Sequence, residues 1–191
     1  MPDPSVLRTL VAAFFHDPLY AWLFPDPRIR PQALSENFTL ALDAAADHGI
    51  VDVDHDGQAV AVWTPPGSAL FTEVEPFVAM LARWSPQRRD QALAAMAATG
   101  AYTRPEDMTL QIIAVHPIRQ GQRTGQRLLQ RRLNNLGHRK EVPVYLESSN
   151  PRNVSFYERM GFASLGEVNA GVDGPVVRPM RRPSERVSRG R

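Results

Sequence analysis

The stretch of this chain with the clearest chemical content is Ile112-Ile113-Ala114-Val115-His116-Pro117-Ile118-Arg119-Gln120-Gly121-Gln122-Arg123-Thr124-Gly125-Gln126. An apolar run enters a polar, glycine-containing loop that opens onto helical sequence. Such a turn points several backbone N–H groups at one place, beside the positive end of a helix dipole. It would suit an anion, and Arg119, Arg123 and Arg127 add charge fitted to phosphate oxygens. On spacing alone, an ordinary strand-to-helix turn with surface arginines explains it equally well. A second group lies in Val142 to Ser148, where strand alternation puts Tyr145 and Glu147 on one face and Val144 and Leu146 on the other. Glu147 is then a carboxylate at the end of a strand, able to accept a proton directly or through water, or simply to pair with a cation.

Other candidates carry less. There are no cysteines, so disulfides, zinc–thiolate sites and thiol nucleophiles are excluded. His116 at a strand end reads as a surface residue, and His16, His48, His55 and His138 have no ligand-like spacing. Asp52-x-Asp54-x-Asp56-Gly57 opens like a calcium loop, but Trp63 stands where the twelfth-position glutamate should be, so no metal is expected.

The elements that must position these residues follow from periodicity. Helices are expected over 5–15, 29–48, 73–83, 87–99, 124–136 and 152–160, and strands over 50–53, 59–63, 109–115, 142–148, 162–168 and 175–180. Residues 17–27, broken by three prolines, are expected to be a loop. The order implies an α/β or α+β sandwich around a mixed sheet. With 191 residues the chain is one domain with a substantial core, ending in a basic tail over 182–191 expected to be disordered. The longest apolar run, Ala92 to Ala98, falls far short of the roughly 20 residues of a membrane span. A cytoplasmic protein is expected. Six arginines against one glutamate in residues 178–191 account for the net charge of +2, leaving 16 basic and 19 acidic residues in the body. That distribution argues against nucleic acid as the main partner and favours a cationic one.

Val115-x-Pro117-x-x-Gln120-x-x-Arg123-x-Gly125 resembles the signature of the GNAT superfamily of acyl-CoA-dependent N-acyltransferases. Asn150-Pro151-Arg152-Asn153-Val154-Ser155-Phe156-Tyr157-Glu158-Arg159-Met160-Gly161-Phe162 resembles a later motif of the same superfamily, in the right order. The run from Val142 to Phe162, with Ala59 to Pro65, Arg8 to Phe14 and Gly174 to Met180, is similar to the puromycin N-acetyltransferase-like members, so the resemblance spans nearly the whole chain.

The resemblance implies a GNAT fold, with a mixed sheet splayed between two parallel strands and flanked by helices. It implies an enzyme that transfers the acetyl group of acetyl-CoA to a primary amine of a small molecule in a ternary complex, an aminonucleoside or other antibiotic being one acceptor class. Tyr157 would be the general acid and Glu147 the base, unless water takes that part. Ile113, Val115, Gln120, Gly121, Gln122, Arg123, Thr124, Gly125, Gln126, Asn150, Asn153 and Phe156 would bind the coenzyme, Asn150 and Asn153 having helix capping as an alternative. The acceptor would lie near Tyr20, Trp22, Phe24, Phe71, Phe77 and Trp84. Two departures stand out. Arg123 occupies a usual glycine position; if φ is positive there, an L-residue costs about 1–2 kcal/mol, and either the backbone differs or Arg123 repays the strain on phosphate. The family's first strand is missing or lies upstream, and a bare sheet edge would favour a homodimer over a monomer. The competing functions are a non-catalytic acyl-CoA-binding or regulatory domain and a nucleic-acid-associated protein acting through the tail.

Overall fold

The structure, a computed structural model, describes residues 3–137 and 142–184. The expectations for His138 and for residues 185–191 of the basic tail lie outside them.

Helix α1 (Pro4–Phe14) starts where Asp3 accepts the Ser5 N–H at 2.7 Å and Pro4 takes the first helical position. The expected loop after it is partly helical. Pro18–Leu23 forms α2, capped by Asp17, whose Oδ1 accepts the Leu19 N–H at 3.0 Å. Pro18 sits at the one place in a helix where its missing N–H costs nothing, so it starts the element that a reading of proline as breaker would forbid. Helix α3 (Arg30–His48) ends at Gly49, as its pattern predicts. The buried Arg30 donates to the carbonyls of Phe24, Phe15 and Pro25 at 2.7, 2.9 and 3.0 Å, tying α1 and α2 to α3.

Strands β1 (Ile50–Val53) and β2 (Ala59–Thr64) form the expected hairpin. Its three aspartates all have partners: Asp52 pairs with Arg132, Asp54 accepts the Ala59 N–H at 2.8 Å, and Asp56 meets His55 and Arg119. All of β2 is buried, because both its faces are covered. Val60 and Val62 join one apolar cluster with α1, α3 and α4 (Glu75–Trp84), whereas Ala59, Ala61 and Trp63 join a second with α6 (Thr124–Gly137) and α7 (Val154–Arg159). Helix α5 (Arg89–Gly100) closes the first side.

Strands β3 (Met108–Val115) and β4 (Val144–Ser148) are parallel neighbours, and β7 (Val176–Arg182) runs antiparallel to β4. The sheet order is β1-β2-β3-β4-β7-β5, with β6 also on β7. The single strand expected over 162–168 is replaced by two short ones, β5 (Ala163–Ser164) and β6 (Val168–Asn169). Arg182, the first residue of the expected tail, pairs with Val144 in the sheet, and Arg178 and Arg181 before it form ion pairs with Glu167 and Asp107. This is the mixed, helix-flanked sheet that the sequence pattern implies.

Candidate active site

The site is made by a failure of two strands to stay together. β3 and β4 pair only from Met108, Thr109 and Leu110 to Val144, Tyr145 and Leu146. Beyond that, Trp63 faces Leu110 while Val62 faces Ile112, so Gln111 is an extra residue that bends β3 away from β4. The Gln111 amide is held by the Thr64 hydroxyl at 3.0 Å. The His116 N–H donates to Gln58 of the β2 side at 2.8 Å. By alternation, the Val115 and Ile113 N–H groups point to the opposite edge, which β4 has left open.

The loop after β3 is equally open. Residues 120–123 form a turn, and among the described residues none of the N–H groups of residues 121–126 makes a well-aligned hydrogen bond within the fold; the next, on Arg127, reaches Arg123 O at 3.0 Å. Six consecutive amides without well-aligned partners, at the start of a 14-residue helix, make a concavity of the kind that suits an anion. Gly125 permits the close approach, since a Cβ there would stand 3.1 Å from Val115 Cγ2. Arg119 is paired with Asp56, and Arg127 donates to Gln122 O and Thr124 Oγ1 at 2.8 and 3.1 Å. The Arg123 guanidinium has no such partner, and its backbone is the one non-glycine position at positive φ, 60°, both among the described residues. The strained alternative is therefore the one realised. Arg123→Gly is expected to raise the unfolding free energy by about 0.5–1 kcal/mol, strain relief being offset by glycine's greater freedom when unfolded, which thermal melting of the ligand-free protein would measure.

Beside the splayed strands lies a cavity of about 260 Å³. Tyr157, Glu147, Asn153 and Ile113 line it, together with Phe14, Tyr20, Phe71 and Phe77. Asp17 also lines it, with its Oδ2 accepting the Ser149 hydroxyl proton at 2.8 Å. No lysine, arginine or histidine is among these lining residues. Glu147 is open to solvent within the cavity, yet protein on most sides disfavours its charge and pushes its carboxyl up, against a smaller pull from the hydroxyls of Thr99 and Tyr145. Burial likewise raises Asp17. Tyr157 is buried, its hydroxyl takes no hydrogen-bond partner among the described residues, and burial followed by the Asp17 charge holds its proton well beyond the ordinary phenol range.

The sequence-derived candidates divide accordingly. Tyr157, Glu147, Ile113 and Asn153 meet in the cavity; Val115 and residues 120–126 form the adjoining edge and loop. Asn150 caps the turn at 151–153, accepting the Arg152 N–H at 3.1 Å, whereas Asn153 makes no such cap bond. Phe156 packs on Tyr157, with ring centroids 5.2 Å apart, and does not line the cavity. Of the expected acceptor aromatics, Tyr20, Phe71 and Phe77 line it; Phe24 is core, Trp84 donates to Glu36 at 2.7 Å, and Trp22 stacks with Arg88. The reading missed Asp17, Ser149 and Phe14. Asp17-Pro18 is a helix-start signature that would have found the first.

Residues 87–164 match the family model described as the acetyltransferase (GNAT) domain. Among solved structures, a histone acetyltransferase HPA2 and related acetyltransferase from Corynebacterium glutamicum is 24% identical, with 95% of this chain and 90% of that chain covered and a TM-score of 0.66. Arylalkylamine N-acetyltransferase 2 from Aedes aegypti is 13% identical, covering 94% and 93% at a TM-score of 0.60. Naa20 from Chaetomium thermophilum, solved with a bisubstrate analogue, is 15% identical, covering 97% and 85% at 0.52. At these identities the structural likeness is one of fold.

Proposed function

We propose that this chain is a GNAT-family N-acetyltransferase that moves the acetyl group of acetyl-CoA to the primary amine of a small molecule with an aromatic or apolar body. The observation that carries the reading is the row of six amides at residues 121–126, none of them in a well-aligned bond among the described residues, beside a cavity that holds Glu147 and Tyr157.

The loop fits the coenzyme: amides of residues 121–126 would hold its phosphates, with the unpaired Arg123 adding charge. The coenzyme supplies the activated acetyl thioester when bound. The N–H groups of Val115 and Ile113, aimed at the open edge, are placed to bond its arm and carbonyl. Asn153 lines the cavity. Asp17 and Glu147 draw a cationic amine into a cavity without a competing cation. Glu147 takes a proton from the amine nitrogen, and burial makes its carboxylate a stronger base than an ordinary glutamate. Tyr157 holds its proton at every working pH and gives it to the departing sulfur. The amine's body lies against Phe14, Tyr20, Phe71 and Phe77.

The test is a screen of primary amines with acetyl-CoA, read by a thiol reagent. Because the chain has no cysteine, the reagent reports released CoA alone. Arylalkylamines should give turnover that Tyr157→Phe removes. Turnover with no amine, or turnover indifferent to that substitution, would refute the reading.

A further inference from the structure

We propose that Tyr145 is a positioning residue for Glu147, its single hydroxyl proton passing between the Thr99 carbonyl and the Glu147 carboxylate so that the glutamate is hydrogen-bonded both before and after it takes a proton. The proposal rests on Glu147 being the proton acceptor of the reaction.

The Tyr145 oxygen lies 2.9 Å from Thr99 O and 3.1 Å from Glu147 Oε1. A phenol has one hydrogen and cannot serve both acceptors at once. With Glu147 ionised, the phenol donates to Oε1. With a proton on Oε1, the carboxyl donates to the phenol oxygen and the phenol turns its hydrogen to Thr99 O. Neither state leaves a polar atom bare, because Thr99 O also accepts the Tyr102 N–H at 3.0 Å and keeps a partner when the phenol turns away. The amine's N–H bond breaks and a Glu147 O–H bond forms, while Tyr145 ends with the one proton it began with.

The ring is held for this purpose. It is buried in β4, with the Arg181 guanidinium 5.8 Å from its centroid. Arg181 is fixed by Asp107, at 3.1 and 2.7 Å, and by Tyr102 O. The groups facing the pair are thus Arg181 from β7, Asp107 from the loop before β3, Thr99 from α5 through its carbonyl and hydroxyl, and Asp17 and Tyr157 around the cavity they share with Glu147. A phenylalanine would keep the packing and remove only the switch.

The experiment compares wild type, Tyr145→Phe and Glu147→Gln by ¹³C NMR titration of the Glu147 carboxyl in the first two and by the pH profile of kcat/KM in all three. Tyr145→Phe is expected to raise the carboxyl's titration midpoint and the acidic limb of the profile together by about one unit, with KM for acetyl-CoA unchanged and activity recovering toward wild type above the limb. Equal loss at every pH, with both midpoints unmoved, would mean a merely structural tyrosine and overturn the proposal. A limb that survives Glu147→Gln sinks the base assignment and the proposal with it; a limb abolished by Glu147→Gln but unmoved in Tyr145→Phe sinks the proposal alone. Should Tyr145→Phe not fold, 3-fluorotyrosine at position 145 keeps the ring and strengthens the donor, and must shift the limb the other way.

Discussion

Tyr157→Phe is expected to lower kcat by roughly a hundred- to a thousand-fold, the usual contribution of a positioned acid, while leaving acetyl-CoA binding intact. The reasoning starts from where the hydroxyl is. It lies in the cavity, within the field of Asp17 and bonded to nothing in the described fold, so its removal takes away no hydrogen bond that supports the structure. Melting temperature should therefore stay where it is, or rise slightly. A tyrosine present only for packing would give the converse: little change in turnover. Steady-state kinetics and thermal melting on the same samples separate the two.

Glu147→Gln is expected to reduce kcat/KM by about a hundred-fold or more at neutral pH and to erase the acidic limb of its pH profile. That limb belongs above the ordinary glutamate value of 4.5, because burial raises the carboxyl. The same shift has a consequence for stability, of the opposite sense. The folded chain holds the Glu147 proton to higher pH than the unfolded chain does, so its contribution to stability falls as pH rises from the unfolded to the folded value and stays lowered above it. Glutamine escapes that penalty. The variant should melt above wild type at pH 8, with the gap closing near pH 4. A variant that lost both activity and stability at pH 8 would argue that Glu147 is structural.

Most of the architecture was legible in the sequence because apolar periodicity and glycine stops coincide with the elements. α3 ends at Gly49, and the β1–β2 hairpin turns where its glycine-containing segment stands. The strand-to-helix loop was readable as well, down to the expectation that Arg123 would be strained if its φ were positive. What escaped was set by tertiary pairing. Residues 162–169 divide into β5 and β6, each paired with β7 residues 7 to 18 positions further along the chain, a pairing that local pattern does not encode. Pro18 looked like punctuation and is a helix start. Asp17 then entered the site through a hydrogen bond to Ser149, 132 positions later, which no local pattern encodes. The basic end misled differently: of the six arginines counted over 178–191, Arg178, Arg181 and Arg182 are sheet residues, Arg178 ion-paired at the surface and Arg181 with the buried Asp107.

The central claim is that the loop from Gly121 to Gln126 holds a coenzyme, and the melting temperature with and without saturating acetyl-CoA tests it most directly. Ligand at about 100 times its dissociation constant adds about 2.7 kcal/mol of stability, or roughly 5–10 °C for a domain of this size. An upward shift of that order, diminished in Arg123→Glu, is the result predicted. No shift at millimolar acetyl-CoA would contradict the account, leaving a GNAT fold whose six open amides serve something other than its coenzyme.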